Sequence, residues 1–312
     1  MLAVVFPGQG AQQEGYLRRL AAYAPTRATF DEASHVLNLD VLTLDTAEAL
    51  RSTVAVQVGM VVAGVATVRA LAAEHLTPDV SAGLSVGAYA AAVSCGALAF
   101  DDALRMVRRR AELMETAYPS GYGLAAVSGL TEHELEQLAA GHARESGTQV
   151  YIGNVNAPRQ IVMAGADAAL DRFIERALHA GARRATRLAV SVPSHCELLA
   201  HASDALLDFA KEIPFSAPIS TYVGNRGGRP LHTADAIRDD LATNMRYTVR
   251  WFAALTVMIE MGTRVVLEAS PGQVLTDITR EAFPDVSALA ANTIACERLG
   301  ATVRRRIEAA RR

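Results

Sequence analysis

A chain of 312 residues, 51% hydrophobic and 20% charged, can build one large or two modest domains around a real core. Its formal net charge of −3 leaves no basic surplus for a nucleic-acid partner and no acidic tail. Cys95, Cys196 and Cys296 have neither metal-ligand spacing nor a count suited to a disulfide scaffold, so a reduced cytoplasmic protein with no metal site is expected.

In chain order, "LAVVF" (2–6) reads as a buried strand stopped by the turn "PGQG". This start has no basic region ahead of its apolar run, unlike a signal peptide. Segments 28–37 and 46–76 read as helical. The apolar run 53–68 is short for a membrane span and is interrupted by Gln57, so it reads as a core helix and no membrane partner is expected. Residues 79–84 form a strand leading into Ser85, and 86–96 form a helix. A second helix, capped by Asp101 or Asp102, runs to Tyr118.

The rhythm then changes. Residues 123–130 read as strand. Residues 131–146 read as helix, opened by the Thr131/Glu134 capping box. Residues 149–157 and 159–166 are a strand pair joined at Pro158. Residues 167–181 are a helix with Gly181 as its C-cap, and 183–191 a strand. This β-α-β-β-α-β order is the ferredoxin-like pattern. The predicted fold is α/β: a hydrolase-like three-layer domain with a parallel sheet (1–121 and 192–312), carrying an inserted ferredoxin-like domain (122–191). Helices at 196–212, 233–245 and 250–262 and strands near 219–225 and 264–270 complete it. The basic end "RRRIEAARR" reads as a solvated helix end.

Four features carry chemistry. Gly83-Leu84-Ser85-Val86-Gly87 is G-x-S-x-G between a strand and a helix, the setting of a nucleophile elbow. Ser85 would project at the helix N-terminus, where negative charge is favoured, and the Val86 N–H would face the developing oxyanion. A serine nucleophile needs a base. His75, His133, His142 and His179 sit among polar neighbours on helices and read as solvated. His195 stands in "SVPSHCELL" at a strand-to-helix junction, where α/β folds place their sites. Catalysis and simple helix capping both remain open for it. Cys196 beside it is discounted because adjacent side chains diverge.

The third feature is Arg110. On a helical wheel of 103–118 it is the only charge within the apolar arc of Leu104, Met106, Val107, Ala111 and Met114. A buried unpaired guanidinium costs on the order of several kcal/mol, so it must meet a carboxylate. The wheel by itself favours an internal ion pair over a bidentate substrate carboxylate. The fourth feature is Gly8-Gln9-Gly10, whose flexible backbone suits an oxyanion donor and which lacks the lysine of a phosphate loop.

Together, "FPGQGAQ", "GLSVGAYAAAV", "RMVRRRAELM", "SVPSHCELL" and "VLEASPGQVLT" resemble the malonyl-CoA:acyl-carrier-protein transacylase family in order and spacing over nearly the whole chain. The resemblance implies Ser85 as nucleophile and His195 as base, with Gln9 and Val86 as oxyanion donors. It also implies a backbone carbonyl at Asn244 that orients the histidine, and Arg110 on the malonyl carboxylate. No bound cofactor is implied, and the substrates are malonyl-CoA and an acyl carrier protein. One departure stands out: the family's usual G-H-S-x-G has Leu84 in place of histidine. With "YPSGYGLAAVSGL" and "YIGNVNAPRQIVMAG", it makes the chain resemble the epsilon subunit of malonate decarboxylase, whose partner is that complex's carrier subunit. A transacylase of fatty acid or polyketide synthesis is the alternative. The elbow and histidine alone also permit a serine esterase or thioesterase, or a non-catalytic carrier-docking subunit. The arginine-rich segments 100–118 and 183–189 are candidates for meeting an acidic carrier.

Overall fold

The structure, a computed structural model, describes residues 1–311. β1 (Leu2–Phe6) is apolar throughout and buried throughout, as a strand covered on both faces must be. The chain continues through α1 (Tyr16–Ala21), α2 (Ala24–Leu37) and α3 (Thr53–Ala73) to β2 (Val80–Gly83), α4 (Gly87–Ser94) and α5 (Phe100–Ala117). By length and composition α3 is apolar enough to cross a membrane. However, 83% of its most apolar stretch is buried inside the protein, so it is the core helix its sequence suggested.

The middle segment supplies β3 (Tyr122–Ser128), α6 (Glu132–Ser146), β4 (Val150–Ala157), β5 (Gln160–Ala166), α7 (Asp167–His179) and β6 (Arg184–Arg187). Its sheet has the order β4-β5-β3-β6 with every neighbouring pair antiparallel, which is the ferredoxin-like arrangement. The Thr131/Glu134 capping box forms at the start of α6. The chain then adds α8 (Ala200–Ala210), β7 (Thr221–Val223), β8 (Pro230–Leu231), α9 (Ala234–Thr243), α10 (Trp251–Glu260), β9 (Val265–Glu268), α11 (Val274–Ala282), β10 (Ser287–Ala290) and α12 (Cys296–Ala309).

The large sheet has the order β10-β9-β1-β2-β7-β8, parallel except for the antiparallel edge strand β8. Side chains alternate across it. Leu2, Val4 and Phe6 join the larger core with α3, α4 and α5, while Ala3 and Val5 join a second core with α10 and α11. The small sheet is equally two-faced. Ala125, Val127, Ile161 and Met163 pack under α6 and α7. Leu124 and Val162 face the other way, toward the large sheet's C-terminal edge. The edge strand β4 is tied to the large sheet's side of the molecule by a parallel bridge between Asn154 and Val249.

Several local expectations fail for identifiable reasons. The N-cap of α5 is Ala99 and carries no side-chain bond; Asp101 and Asp102 sit in the first turn, where carboxylates act on the helix dipole. The C-cap of α7 is Ala180, and Gly181, at φ 99°, is the residue after it. His142 is buried, not solvated: it lies seven residues after the buried Leu135 on α6 and meets the ring of Phe173 edge-on. The strand expected over 183–191 stops at Arg187, because Leu188, Ala189 and Val190 turn away to line a cavity. The helix expected over 233–245 tightens at Asn244–Arg246 into a 3₁₀ turn. α1 and β10 escaped the sequence reading because they are too short, at six and four residues, for periodicity to speak.

Candidate active site

The elbow follows from two close approaches. A Cβ on Gly83 would fall 2.0 Å from the carbonyl carbon of Gly87, and one on Gly87 would fall 2.2 Å from the carbonyl oxygen of Phe6. Only glycine lets β2, the turn and α4 pack this tightly against β1. Between them Ser85 takes φ 56°, in the left-handed region that a non-glycine residue enters only when its surroundings force it. This lifts its hydroxyl above the sheet's C-terminal edge, beside the start of α4.

His195 comes from the junction between β6 and α8 and is also left-handed, at φ 68°. Its backbone N–H donates to the Met245 carbonyl at 2.7 Å. The ring stands between two partners: Nδ1 is 2.7 Å from the Asn244 carbonyl oxygen, and Nε2 is 2.7 Å from Ser85 Oγ. A carbonyl can only accept, so the proton sits on Nδ1 and the lone pair of Nε2 faces the serine hydroxyl. The 3₁₀ turn at Asn244–Arg246 presents that carbonyl to the histidine while it also accepts the Tyr247 N–H at 3.3 Å. Burial, and then the nearby positive charge of Arg110, push His195 down to about 4, against the opposing pull of the carbonyl bond. The imidazole is therefore neutral, and able to act as a base, throughout the physiological range. Cys196 is inert by comparison: burial pushes its thiol up to about 12, and it donates to the Pro193 carbonyl.

Arg110 is fully buried. No ion pair to it exists among the described residues, so the internal salt bridge that the wheel favoured is absent. Its Nη1 donates to Gln57 Oε1 at 2.5 Å, and its Nη2 lies 3.2 Å from both Ser85 Oγ and Asn244 Oδ1. Its Nε has no partner among the described residues. Ser85, His195, Asn244 and Arg110 thus form one continuous hydrogen-bonded cluster.

Ser85 and His195 of that cluster line a cavity of about 280 Å³ between the two sheets, as does Gln57, with Arg110 and Asn244 buried behind them. Gly8, Gln9 and Gly10, after β1, form one wall. Leu124, Ala126, Asn154, Asn156 and Gln160 of the small sheet form the roof. Val86 follows Ser85 with its side chain buried in the core, so only its backbone is available to the site. Neither the Gln9 nor the Val86 N–H donates to another group among the described residues. A larger groove of about 1030 Å³ shares Ala126, Gln160 and Leu188 with the cavity, and Arg159, Arg183, Arg184 and Glu281 also line it. Arg159 pairs with Glu134, and the arginines of α5 pair along their own helix: Arg105 with Asp102, and Arg108 and Arg109 with Glu112.

A hydroxyl and a neutral base that line one cavity, with Gln9 on its wall and an unpaired guanidinium bonded to the serine oxygen from behind, suit acyl transfer from an anionic acyl donor. Comparison with known proteins agrees. The acyl transferase domain family matches residues 3–306. The chain belongs to that family. It is 38% identical over 296 residues to the malonyl CoA-acyl carrier protein transacylase of Escherichia coli K12, covering 93% of this chain and 95% of the relative. It is 36% identical over 300 residues to the transacylase of the same name from Haemophilus influenzae, covering 94% and 96%. Among solved structures, the malonyl CoA-acyl carrier protein transacylase of Coxiella burnetii superposes with a TM-score of 0.92 at 32% identity, covering 97% of each chain. A malonyl-transacylase solved in complex with a type II polyketide acyl-carrier protein gives 0.91 at 36% identity, covering 97% and 99%.

As an acyltransferase, this chain contains polar residues at the cluster that sequence reading missed. Gln57 entered only as an interruption of an apolar run, yet a lone amide in an otherwise apolar helix was itself the signal: it holds Arg110. Asn225, after β7, accepts the Ser85 backbone N–H through Oδ1 at 2.8 Å and had no motif to mark it. Leu84, which replaces the usual histidine, lies against Gly8: a Cβ there would sit 2.7 Å from Leu84 Cδ2. Glu268 of the "VLEASPGQVLT" stretch is buried at the end of β9 and accepts from the N–H and hydroxyl of Thr276, pinning the first turn of α11.

Proposed function

We propose that the protein transfers a malonyl group from malonyl-CoA to the phosphopantetheine-type thiol of an acyl carrier protein, through a malonyl ester of Ser85. One observation carries this reading above all: a buried guanidinium without a carboxylate partner stands 3.2 Å from a serine oxygen that is itself 2.7 Å from a neutral histidine.

The chemistry runs in two matching halves. The Ser85 hydroxyl gives its proton to His195 Nε2 as Oγ bonds to the thioester carbonyl carbon. The Gln9 and Val86 N–H groups donate to the oxyanion. The carbon–sulfur bond breaks, and His195 returns the proton to the departing CoA sulfur. The carrier thiol then gives its proton to His195 and attacks the ester, and Ser85 leaves with that proton. Arg110 exchanges its contacts to neutral oxygens for the malonyl carboxylate, a charge-assisted pairing that fixes the acyl group for attack. The Asn244 carbonyl takes the orienting role that an acid plays in other triads. No cofactor enters either half. The arginine-lined groove supports this reading, since both thiol substrates carry phosphate near the arm.

The reading treats residues 122–191 as a small domain inserted into 1–121 and 192–312, roofing the site. It sets the reaction in the cytoplasm, which suits three free thiols. The names of the relatives favour fatty acid or polyketide synthesis over malonate decarboxylase. Leu84, packed on Gly8, is the feature that speaks for the decarboxylase epsilon subunit, and presenting each purified carrier in turn separates the two. The deciding experiment for the activity itself is intact-mass measurement after mixing with malonyl-CoA. A malonyl adduct is expected on the wild type and none on Ser85→Ala. No adduct on either would favour a docking role, and release of free malonate faster than carrier loading would favour an esterase.

A further inference from the structure

The left-handed conformation of Ser85 has to be held by something, and the structure shows what holds it. Turned this way, the Ser85 backbone N–H points away from α4 and donates to Asn225 Oδ1 at 2.8 Å, across 140 residues of sequence. The meeting follows from the parallel pairing of β2 and β7, in which Ala82 lies opposite Val223. Ser85 and Asn225 each stand two residues beyond their strand's end, at the same edge of the sheet.

Asn225 is itself fixed. Its backbone N–H donates to both oxygens of Asp240, at 2.9 and 3.2 Å, and the next N–H, from Arg226, reaches the same carboxylate at 3.3 Å. Tyr222 Oη donates to it at 2.8 Å. Asn225 is buried, and its Nδ2 has no partner among the described residues. Its amide oxygen is committed to the serine backbone, and its amide N–H side lies toward the Asp240 carboxylate. The orientation is unambiguous, because a flipped amide would set N–H against N–H.

We propose that Asn225, braced by Asp240, is a positioning residue for the acyl transfer. It fixes the Leu84–Ser85 peptide so that Ser85 Oγ faces His195 and the Val86 N–H stays free for the oxyanion. The proposal rests on Ser85 being the acylated residue. Without the acceptor oxygen, the strained serine can relax toward the right-handed region, which moves its hydroxyl and the Val86 N–H together. Binding of malonyl-CoA, which depends on Arg110 and the cavity walls, has no reason to change.

The test compares Asn225→Ala and Asn225→Asp by first-turnover acylation with malonyl-CoA. The same ligand's affinity is measured in a Ser85→Ala background with and without Asn225→Ala. The expected result is acylation slowed roughly 10- to 100-fold in Asn225→Ala, the scale of one buried hydrogen bond lost from the transition state. Affinity should stay within about threefold, and Asn225→Asp, which keeps an acceptor oxygen, should recover most of the rate. Three results each overturn the proposal: unslowed acylation in Asn225→Ala, affinity falling as far as the rate does, or Asn225→Asp as slow as Asn225→Ala. A malonyl adduct persisting on Ser85→Ala alone would instead overturn the underlying assignment of the nucleophile.

Discussion

Arg110 and Asp240 are both buried charges in the larger half of the molecule, and their surroundings differ in kind. Asp240 is surrounded by donors from its own chain: the Tyr222 hydroxyl and the N–H groups of Asn225 and Arg226. Burial still pushes its carboxyl up from the usual range. Arg110 finds only neutral oxygens, from Gln57, Ser85 and Asn244, and its Nε finds none among the described residues. A buried charge completed by its own chain belongs to the scaffold. One left with neutral partners and a spare N–H is, on the proposed function, a receptor whose counter-ion arrives with the substrate.

The comparison makes its strongest demand on stability. Asp240→Ala strands several buried donors and is expected to cost about 3–5 kcal/mol, read as a lower urea midpoint at unchanged slope. A loss below about 1 kcal/mol would show that the Asp240 cluster is not structural in this sense.

Proton linkage sharpens the contrast. Because His195 is held down to about 4, the acid limb of kcat/KM for acylation should lie near pH 4, well below the usual histidine range. Arg110 is one of the two causes that lower it, so Arg110→Met should move that limb upward, whereas Asp240→Asn should not. The same depression ties stability to pH. The unfolded chain protonates this histidine below about pH 6.5 and the fold does not, so stability present above that pH falls as pH drops toward 4, by up to about 1.4 kcal/mol per unit.

The smallest expected effect is the most diagnostic for Arg110. Replacing an unpaired buried guanidinium with methionine removes a desolvation cost and keeps the volume. Stability in Arg110→Met should therefore be unchanged or higher by about 1 kcal/mol. A loss comparable to that of Asp240→Ala would make Arg110 scaffold as well.

Much of this was visible in the sequence, for physical reasons. Short apolar runs bounded by turn residues, together with helical patterns, revealed most strands of both sheets and the β-α-β-β-α-β order of the middle segment. The glycines around Ser85 were readable because close packing permits no other residue there. Arg110 was readable because a charge in an apolar arc is costly, although the wheel pointed to an internal carboxylate that the fold does not supply. What stayed hidden depends on contacts distant in sequence. Gln57 and Arg110 meet across 53 residues where α3 packs on α5, and Ser85 and Asn225 across 140 through strand order and register, none of which a local pattern encodes. His142 was misread because polar neighbours along the chain disguised its place on the buried face of α6. The position of the Asn244 carbonyl depends on a helix tightening over its last turn, and helix ends are the least legible part of any pattern.

The central claim is that Arg110, which pairs with no carboxylate among the described residues, takes the substrate's own carboxylate. The most direct test is acylation of Ser85 by malonyl-CoA and by acetyl-CoA, in the wild type and in Arg110→Ala, each followed by intact mass over the first turnover. The malonyl rate should fall by roughly 10²- to 10³-fold while the acetyl rate stays within about tenfold, collapsing the preference between the two. Equal losses for both donors would contradict the account, because Arg110 would then be supporting the serine and not gripping the acyl group.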